Sequence, residues 1–261
     1  MFQFRHASGA SQGARPYQED ASAVWPGPEP LVDQGASGQT ASTVLLAVLA
    51  DGMGGHAGGA LASSTLCSEF IEAFVNGAGA LDARLENALA TANDAIRRTV
   101  EQNPTLSGMG ATLVGTAFGE HGMRWISVGD SPMYLYREGE LVQLNEDHSL
   151  APVIDRLVAQ GKMTAEEARH DPRRHFLRSA VTGEEIELVD TPERPLALAR
   201  GDVVLISSDG IHTLEAAEIE ELIAEHVANG PQAIVSAIID AVDGAGEPHQ
   251  DNTTVIAVTV E

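Results

Sequence analysis

The sequence of 261 residues contains little cysteine, lysine or aromatic side chain. Its single cysteine, Cys67, excludes an internal disulfide, and the helical spacing around it indicates a small core residue. Lys162 is the one lysine among 15 basic residues, which face 38 acidic ones, so the formal net charge is −23. Such a surface repels nucleic acid and anionic membranes, and we expect neither as a partner. We interpret most of the excess as a solvated acidic surface, with bound cations as the alternative.

Long apolar segments are also missing. No run approaches the roughly 20 residues that cross a membrane, and no basic start followed by an apolar stretch marks a signal peptide. A cytoplasmic protein is therefore the simplest interpretation. The sequence also has no Gly-x-Ser-x-Gly elbow for a serine nucleophile, and no Asp-x-Asp pair after the first strand for a phospho-aspartyl mechanism.

The pattern of apolar residues predicts an α+β fold. Hairpin-length links such as Gly119-Glu120-His121-Gly122 require antiparallel strands, and strict alternation of strands and helices is absent, which argues against a Rossmann-type sheet. A Gly/Pro/Ser/Ala-rich passage from Pro26 to Ser42 predicts a loop. Strands are predicted near 2–8, 21–25, 43–50, 111–118, 123–128, 133–137, 141–144, 185–190, 202–207 and 253–260, and helices near 59–75, 81–101, 215–228 and 231–242.

Acidic residues recur at the ends of predicted buried strands. Three apolar runs stop at Asp51-Gly52, Gly129-Asp130 and Asp209-Gly210. Asp251 stands just before a fourth run, and Glu19-Asp20 just before another. Taken singly, each Asp-Gly pair is a turn. Because strand ends from distant parts of the chain can meet at one edge of an antiparallel sheet, the set together predicts one carboxylate cluster.

A cluster of this kind predicts bound cations. Converging carboxylates repel one another, which raises their pKa values and destabilises the fold unless cations neutralise them. The donors are oxygens, and no Cys/His cluster is present, so Mg²⁺ or Mn²⁺ is favoured over Zn²⁺. Two such ions about 3.5–4 Å apart can activate water and stabilise a transferring phosphoryl group. Arg15, just before Glu19-Asp20, is suited to hold the phosphate, and the carbonyl of Gly52 can approach an ion closely.

Six segments resemble the PPM (type 2C) family of metal-dependent Ser/Thr protein phosphatases, in its bacterial form. They occur in the family's order and cover essentially the whole chain. The matching segments are Arg15-Pro16-Tyr17-Gln18-Glu19-Asp20, Asp51-Gly52-Met53-Gly54-Gly55, Gly108-Met109-Gly110-Ala111-Thr112-Leu113, Val128-Gly129-Asp130-Ser131, Ser208-Asp209-Gly210 and Asp251-Asn252-Thr253-Thr254-Val255.

The resemblance implies a four-layer α-β-β-α sandwich with two central antiparallel sheets. It implies that Asp51 bridges two metal ions, that Gly52 contributes its backbone carbonyl, and that Asp209 and Asp251 complete the pair. It further implies that the substrates are Ser/Thr-phosphorylated proteins, with a cognate Ser/Thr kinase as a conceivable partner. We expect a monomer in which residues 1–261 form one catalytic domain.

The resemblance also assigns the remaining acids. Asp130, together with Asp209, would hold a weaker third ion, as in bacterial members. Glu19 and Asp20 would hold metal-bound waters, and Arg15 would bind the substrate phosphate.

Some positions depart from the family pattern. Gln18 replaces the usual Asn, and Pro132 follows Ser131 where Arg is common. Met53 stands where eukaryotic members carry a His proposed as the general acid, so the proton donor is left open. His56 is a nearby candidate, with a simple loop histidine as the alternative.

A variable insertion, the flap, is predicted at about 147–182. It carries three histidines and a cluster of arginines: His148, His170, His175, Arg169, Arg173, Arg174 and Arg178. This basic patch could attract phosphorylated or acidic substrates. Alternatively, it could form ion pairs with Glu166, Glu167 and Asp171, and the sequence leaves the two open.

The alternatives to a phosphatase are two other functions, nucleotide binding and non-catalytic partner binding. Gly52-x-Gly54-x-x-Ala57 superficially resembles a dinucleotide fingerprint, but Asp51 would repel the pyrophosphate. The second alternative is a catalytically silent phosphatase-like protein that binds or regulates a partner. Because all the metal-site acids and Arg15 are present, the sequence favours the enzyme.

Overall fold

The computed structural model describes residues 2–26, 45–55 and 57–261. Most of the predicted 26–42 loop, the first two residues of the predicted third strand, and His56 lie outside the described residues. None of the helices in the described ranges is long and apolar enough to cross a membrane.

Eleven strands in the described residues form two large antiparallel sheets and one small pair. The first sheet has the order β1-β11-β10-β8-β9, the second β2-β3-β6-β7, and β4 pairs with β5. The strands are β1 Phe4–Ser11, β2 Ala21–Trp25, β3 Leu45–Ala50, β4 Gly52–Met53, β5 Gly110–Ala111, β6 Leu113–Gly119, β7 Gly122–Val128, β8 Met133–Arg137, β9 Glu140–Gln143, β10 Val203–Ser207 and β11 Thr253–Val260.

Helix pairs cover the outer face of each large sheet. α1 and α2 pack on the β2-β3-β6-β7 sheet, and α5 and α6 pack on the other. The helices are α1 Ala57–Asn76, α2 Leu81–Gln102, α3 Ala151–Ala159, α4 Ala165–Arg169, α5 Ala216–His226 and α6 Pro231–Gly244. Short 3-10 helices span 104–106, 172–175, 209–213 and 227–229.

Three apolar layers separate these elements, and the alternation of side chains along the strands explains them. In β3, Leu46 and Val48 face α1 and α2, whereas Leu45 and Leu49 face the other sheet. The layer between the sheets includes the rings of Phe4 and Phe118, whose centroids lie 5.4 Å apart. The predicted four-layer α-β-β-α sandwich is thereby confirmed.

The strand predicted near 185–190 is wrong. In this segment only Asp190 makes a ladder contact, an isolated bridge to Ser127 at the edge of β7. Side chains satisfy its backbone instead of a neighbouring strand. Ser179 Oγ accepts from Leu188 N (3.0 Å) and donates to Leu188 O (2.9 Å), and Asn93 Nδ2 donates to Glu184 O (2.7 Å). The partners of β10 are therefore β8 and β11.

His6 gives the fold a predicted sensitivity to acid. Its side chain is buried in β1, and Nδ1 has no hydrogen-bond partner among the described residues. Burial lowers the pKa of His6 below its ordinary value, because the charged ring would lose its hydration. A lowered folded-state pKa means that the neutral ring contributes stability above about pH 6.5, which is lost as the pH falls through the folded pKa.

We expect His6→Leu to reduce the loss of stability between about pH 7 and pH 5, where an unfolded histidine takes up its proton. Thermal unfolding in EDTA, compared across this range, measures the effect. His121→Gln is the matched control, because His121 is exposed in the turn between β6 and β7. Equal pH slopes for the wild type and His6→Leu would contradict the assignment.

Candidate metal centre

The strand register brings the predicted acids to one edge of the sandwich. Ala21 in β2 pairs with Ala50 in β3, so Asp20 at the start of one strand lies beside Asp51 at the end of the other. Ser207 in β10 pairs with Val255 in β11, so Asp209 and Asp251 follow and precede neighbouring strand ends. Antiparallel pairing thus gives two pairs of neighbouring carboxylates, one in each sheet, and the packing of the sheets brings the two pairs together.

Thr112 connects the Asp51 turn to the Asp130 turn. Thr112 N donates to Asp51 O (2.9 Å), and Asp51 N donates to Thr112 Oγ1 (3.0 Å). Thr112 Oγ1 also lies 2.7 Å from Ser131 Oγ. Gly129 adopts φ +104 and packs directly on the Thr112 side chain, where a Cβ atom would approach Thr112 Cγ2 to 2.6 Å. One buried threonine therefore links the turn that carries Asp51 to the turn that carries Asp130.

Ser208 joins the two sheets beneath the acids. Its Oγ donates to Asp20 Oδ2 (2.7 Å) and accepts from Thr254 N (2.9 Å). The β2-β3 edge and the β10-β11 edge are thereby fixed relative to each other through one buried hydroxyl.

Asn252 and Gln18 shape the loop that carries Arg15 and Glu19. Asn252 Oδ1 accepts from Glu19 N (2.8 Å), and its Nδ2 donates to Gln12 O (2.9 Å) and Tyr17 O (3.0 Å). Gln18 Nε2 donates to Ser11 O (3.2 Å), and Gln18 Oε1 accepts from Asp20 N (3.0 Å). The Gln that departs from the family pattern thus makes structural hydrogen bonds within this loop.

These segments surround an open cleft of about 820 Å³. Seven of the predicted site residues line it: Arg15, Glu19, Asp51, Gly52, Asp130, Asp209 and Asp251. Asp20 lies behind them and is buried. The Arg15 guanidinium forms an ion pair with the Asp251 carboxylate. The structure therefore brings all eight predicted site residues into one region.

Burial and mutual repulsion perturb the acids strongly. Burial raises the pKa of Asp51 well above its ordinary value, and the charges of Asp20, Asp209, Asp130 and Asp251 raise it further. Burial, followed by the charge of Asp209, raises the pKa of Asp130 to about 7. Burial also raises the pKa of Asp20 to about 6, against the hydrogen bond from Ser208. This is the electrostatic stress that cations would relieve.

Hard divalent cations fit the donor chemistry of this cleft. Its acids supply oxygen donors, and Asp20 Oδ1 is buried with no hydrogen-bond partner in the described part of the chain. Among the described residues, no group of three or more His, Cys, Asp or Glu side chains is arranged to hold a metal ion. The acids instead approach the cleft from separate strand ends, so the fit rests on donor type and charge.

The flap arginines divide between ion pairs and the cleft. Arg169, Arg173 and Arg174 pair with Glu166, Asp171 and Asp155 respectively. Arg178 has no ion pair among the described residues and lines the cleft together with His175 and Phe176. Ion pairing therefore accounts for three of the four arginines, and Asp155 is a partner that the sequence did not indicate. His148 lies away from the cleft wall, where its Nδ1 accepts from Gly129 N (3.2 Å).

The sequence reasoning missed the residues that hold the acids in place. Thr112, Ser208 and Asn252 lie within the matched segments but received no role. Their signal was present in part, since Ser208 and Asn252 are polar residues directly beside an acid in those segments. Their partners, however, are far away in sequence, which hides the contacts from a reading of the chain.

The four-layer sandwich and its carboxylate-lined cleft place the chain in the class of metal-dependent phosphatase folds. The family model described as Protein phosphatase 2C matches residues 29–230, and the chain belongs to that family.

Two curated relatives illustrate the match. The chain is 35% identical over 218 residues to the serine/threonine protein phosphatase PstP of Mycobacterium tuberculosis. The aligned region covers 82% of this chain and 40% of PstP. It is 32% identical over 219 residues to the serine/threonine phosphatase stp of Listeria innocua, covering 82% and 83% of the two chains. The match thus spans less than half the length of the mycobacterial relative.

Solved structures agree with the fold. A crystal structure of M. tuberculosis PstP/Ppp superposes with a TM-score of 0.78 at 31% identity, covering 99% of both chains. The PstP catalytic domain in complex with two manganese ions superposes with a TM-score of 0.77, also at 31% identity, covering 100% of this chain and 99% of that one.

Proposed function

We propose that this chain is a metal-dependent protein serine/threonine phosphatase that hydrolyses phosphomonoesters of phosphoproteins. The observation that carries the proposal is the convergence of Asp51, Asp130, Asp209 and Asp251 on one cleft that also holds Arg15. Family membership and the manganese ions of the PstP domain support it. Bound Mn²⁺ or Mg²⁺ would activate a water molecule and stabilise charge on the phosphoryl group.

The residues of the cleft take distinct proposed roles. Asp51 and the carbonyl of Gly52 would hold the two core ions together with Asp209 and Asp251. The raised pKa of Asp209, due first to burial and then to the charge of Asp251, supports this pairing. Asp20, behind the cleft wall, would hold ion-bound water.

Arg15 and Glu19 would act at the entrance to the site. The Arg15 guanidinium is bound to Asp251 in the structure and half-exposed. Cations that neutralise Asp251 would free this guanidinium to hold the substrate phosphate through two parallel hydrogen bonds. Glu19 lines the same wall and would hold a second ion-bound water.

Hydrolysis of p-nitrophenyl phosphate tests the proposal directly. Purified protein with added Mn²⁺ should release p-nitrophenol, EDTA should abolish the release, and fresh Mn²⁺ should restore it. A folded protein that shows no activity with Mn²⁺ or Mg²⁺ would instead support the catalytically silent binding protein.

A third, weaker ion at Asp130 is part of the proposal. Asp130 lines the cleft and is half-buried, and the charge of Asp209 helps to raise its pKa. We expect Asp130→Ala to lower kcat by about 10²-fold, the scale seen when one charge-stabilising group is lost, while two Mn²⁺ ions remain bound. Titration calorimetry measures the stoichiometry, and loss of all bound Mn²⁺ in the variant would contradict a separate third site.

The remaining parts of the proposal concern organisation. We propose that residues 1–261 form a single catalytic domain with a flap at about 147–182, which contains α3, α4 and the 3-10 helix at 172–175. A cognate Ser/Thr kinase and a monomeric state complete the proposal.

A further inference from the structure

Release of a serine or threonine side chain requires a proton. The leaving oxygen is an alkoxide, a far stronger base than the phenolate of an activated ester, so an acid near it accelerates the reaction. Directly after Asp51-Gly52 the cleft is lined by Met53, whose thioether carries no proton. Asp51, Asp130, Asp209 and Asp251 are assigned to cations, so we look for the donor among the other residues that line the cleft.

His175 is the one histidine among the described residues that line the cleft. It ends the 3-10 helix at 172–175, so it reaches the cleft from the flap rather than from the metal-binding edge. The ring is exposed and makes no hydrogen bond or ion pair with the described residues. It is therefore free to meet a group that enters from solvent.

The backbone around His175 is anchored, although its ring is free. Phe176 N donates to Arg173 O (2.9 Å), and Leu150 N, just before α3, donates to Phe176 O (2.9 Å). Arg173 and Arg174 are held by Asp171 and Asp155. The paired flap arginines thus fix the turn from which the imidazole projects.

Two histidines are near enough to act on the Asp209 carboxylate. A protonated ring at either His212 or His175 favours the ionised form of Asp209. His212 belongs to the 3-10 helix at 209–213 and does not line the cleft, whereas His175 does. Of the two, His175 alone combines closeness to a core acid with access to a substrate.

We propose that His175 is the general acid of this phosphatase, an inference that rests on the proposed function. A water oxygen forms a bond to phosphorus as the bond between phosphorus and the serine or threonine oxygen breaks. The electron pair of the broken bond stays on the leaving oxygen, which takes the proton from a ring nitrogen of His175. The attacking water releases its proton to solvent, and solvent reprotonates the imidazole.

The dependence of rate on the leaving group tests this role. We expect His175→Gln to lower kcat for a phosphothreonine peptide by about 10²-fold, the lower end for loss of a general acid. For p-nitrophenyl phosphate, whose leaving group needs little protonation, kcat should change by about twofold or less. Mn²⁺ binding, followed by calorimetry, should be unchanged in the variant.

His170→Gln is the matched control. His170 lies in the same flap and is exposed, but its Nδ1 is 3.0 Å from Glu166 O, and it does not line the cleft. In His170→Gln, the ratio of kcat for the phosphothreonine peptide to kcat for p-nitrophenyl phosphate should equal the wild-type ratio.

Two outcomes would overturn the role of His175. One is an equal loss, or no loss, with both substrates. The other is a selective loss on the peptide in His56→Gln but not in His175→Gln, which would assign the proton to His56. A wild-type protein inactive on both substrates would refute the proposed function instead, so the two failures are distinguishable.

Discussion

Asp209→Asn should reduce phosphomonoester hydrolysis to background while making the metal-free protein more stable. Asp209 lines the cleft and is half-buried, and burial followed by the charge of Asp251 raises its pKa. The amide keeps the volume of the side chain but removes the charge that core and third ions would share. We expect a loss in kcat of about 10³-fold or more, at the upper end for one charge-stabilising group.

The stability change has a defined pH dependence. An acid whose folded-state pKa is raised favours its protonated form in the fold, so the ionised wild-type side chain costs stability above about pH 4, the unfolded value. The stabilisation by Asp209→Asn should therefore be largest near neutral pH and vanish towards pH 4. Thermal unfolding in EDTA at several pH values measures it, alongside turnover with Mn²⁺.

Asp240→Asn is the control for Asp209→Asn, because Asp240 is exposed on α6 and does not line the cleft. It should leave activity and stability unchanged. Near-normal turnover in Asp209→Asn would contradict the assignment of Asp209 to the metal centre. If metal-free Asp209→Asn protein is less stable than metal-free wild type, the mutual repulsion inferred for the acids of the cleft is contradicted.

Gly52→Ala should damage both the fold and the site. A Cβ atom at residue 52 would approach Gly59 O in α1 to 2.3 Å and Glu19 O to 2.4 Å. Both neighbours are backbone atoms, so relief requires movement of α1 or of the loop that carries Glu19. We expect a loss of about 1–3 kcal/mol in the free energy of unfolding, the usual cost of overpacking. Displacement of Asp51 should also lower turnover and weaken Mn²⁺ binding.

Gly244→Ala separates this steric effect from a general effect of replacing glycine. Gly244 ends α6, and a Cβ atom there would meet nothing within 4 Å. Chemical denaturation should show a change within about 1 kcal/mol for this variant. A Gly52→Ala protein with wild-type stability and Mn²⁺ affinity would contradict the close approach of the three segments.

Most of the fold could be predicted because its signals are local. The apolar run of β3 ends at Asp51, and hairpin links imposed antiparallel pairing on β6 with β7 and on β8 with β9. The strand predicted at 185–190 failed because the Leu188 backbone is bonded to the Ser179 side chain, and Asn93 bonds the carbonyl of Glu184 just before the segment. Local propensity contains no information about such partners.

The flap shows the same limit at the functional site. Its sequence left two roles open for the basic residues. The structure divides them, since three arginines form ion pairs while Arg178 and His175 line the cleft. Which charge is neutralised depends on the path of the chain between α3 and the 3-10 helix at 172–175, and spacing along the sequence does not determine that path.

By itself, the sequence determined which acids could form a metal centre, because a carboxylate at the end of a buried strand must lie at the edge of a sheet. It also determined the family, through six ordered segments. The tertiary structure alone decided how the acids are held and which flap residues reach them. Ser208 joins the two sheets, while Thr112 and Asn252 bond to residues far away in sequence. Gly52 is confined by backbone from two distant segments. The reason is physical, since a hydrogen bond or a steric contact depends on distance in space, and the packing of the two sheets sets those distances.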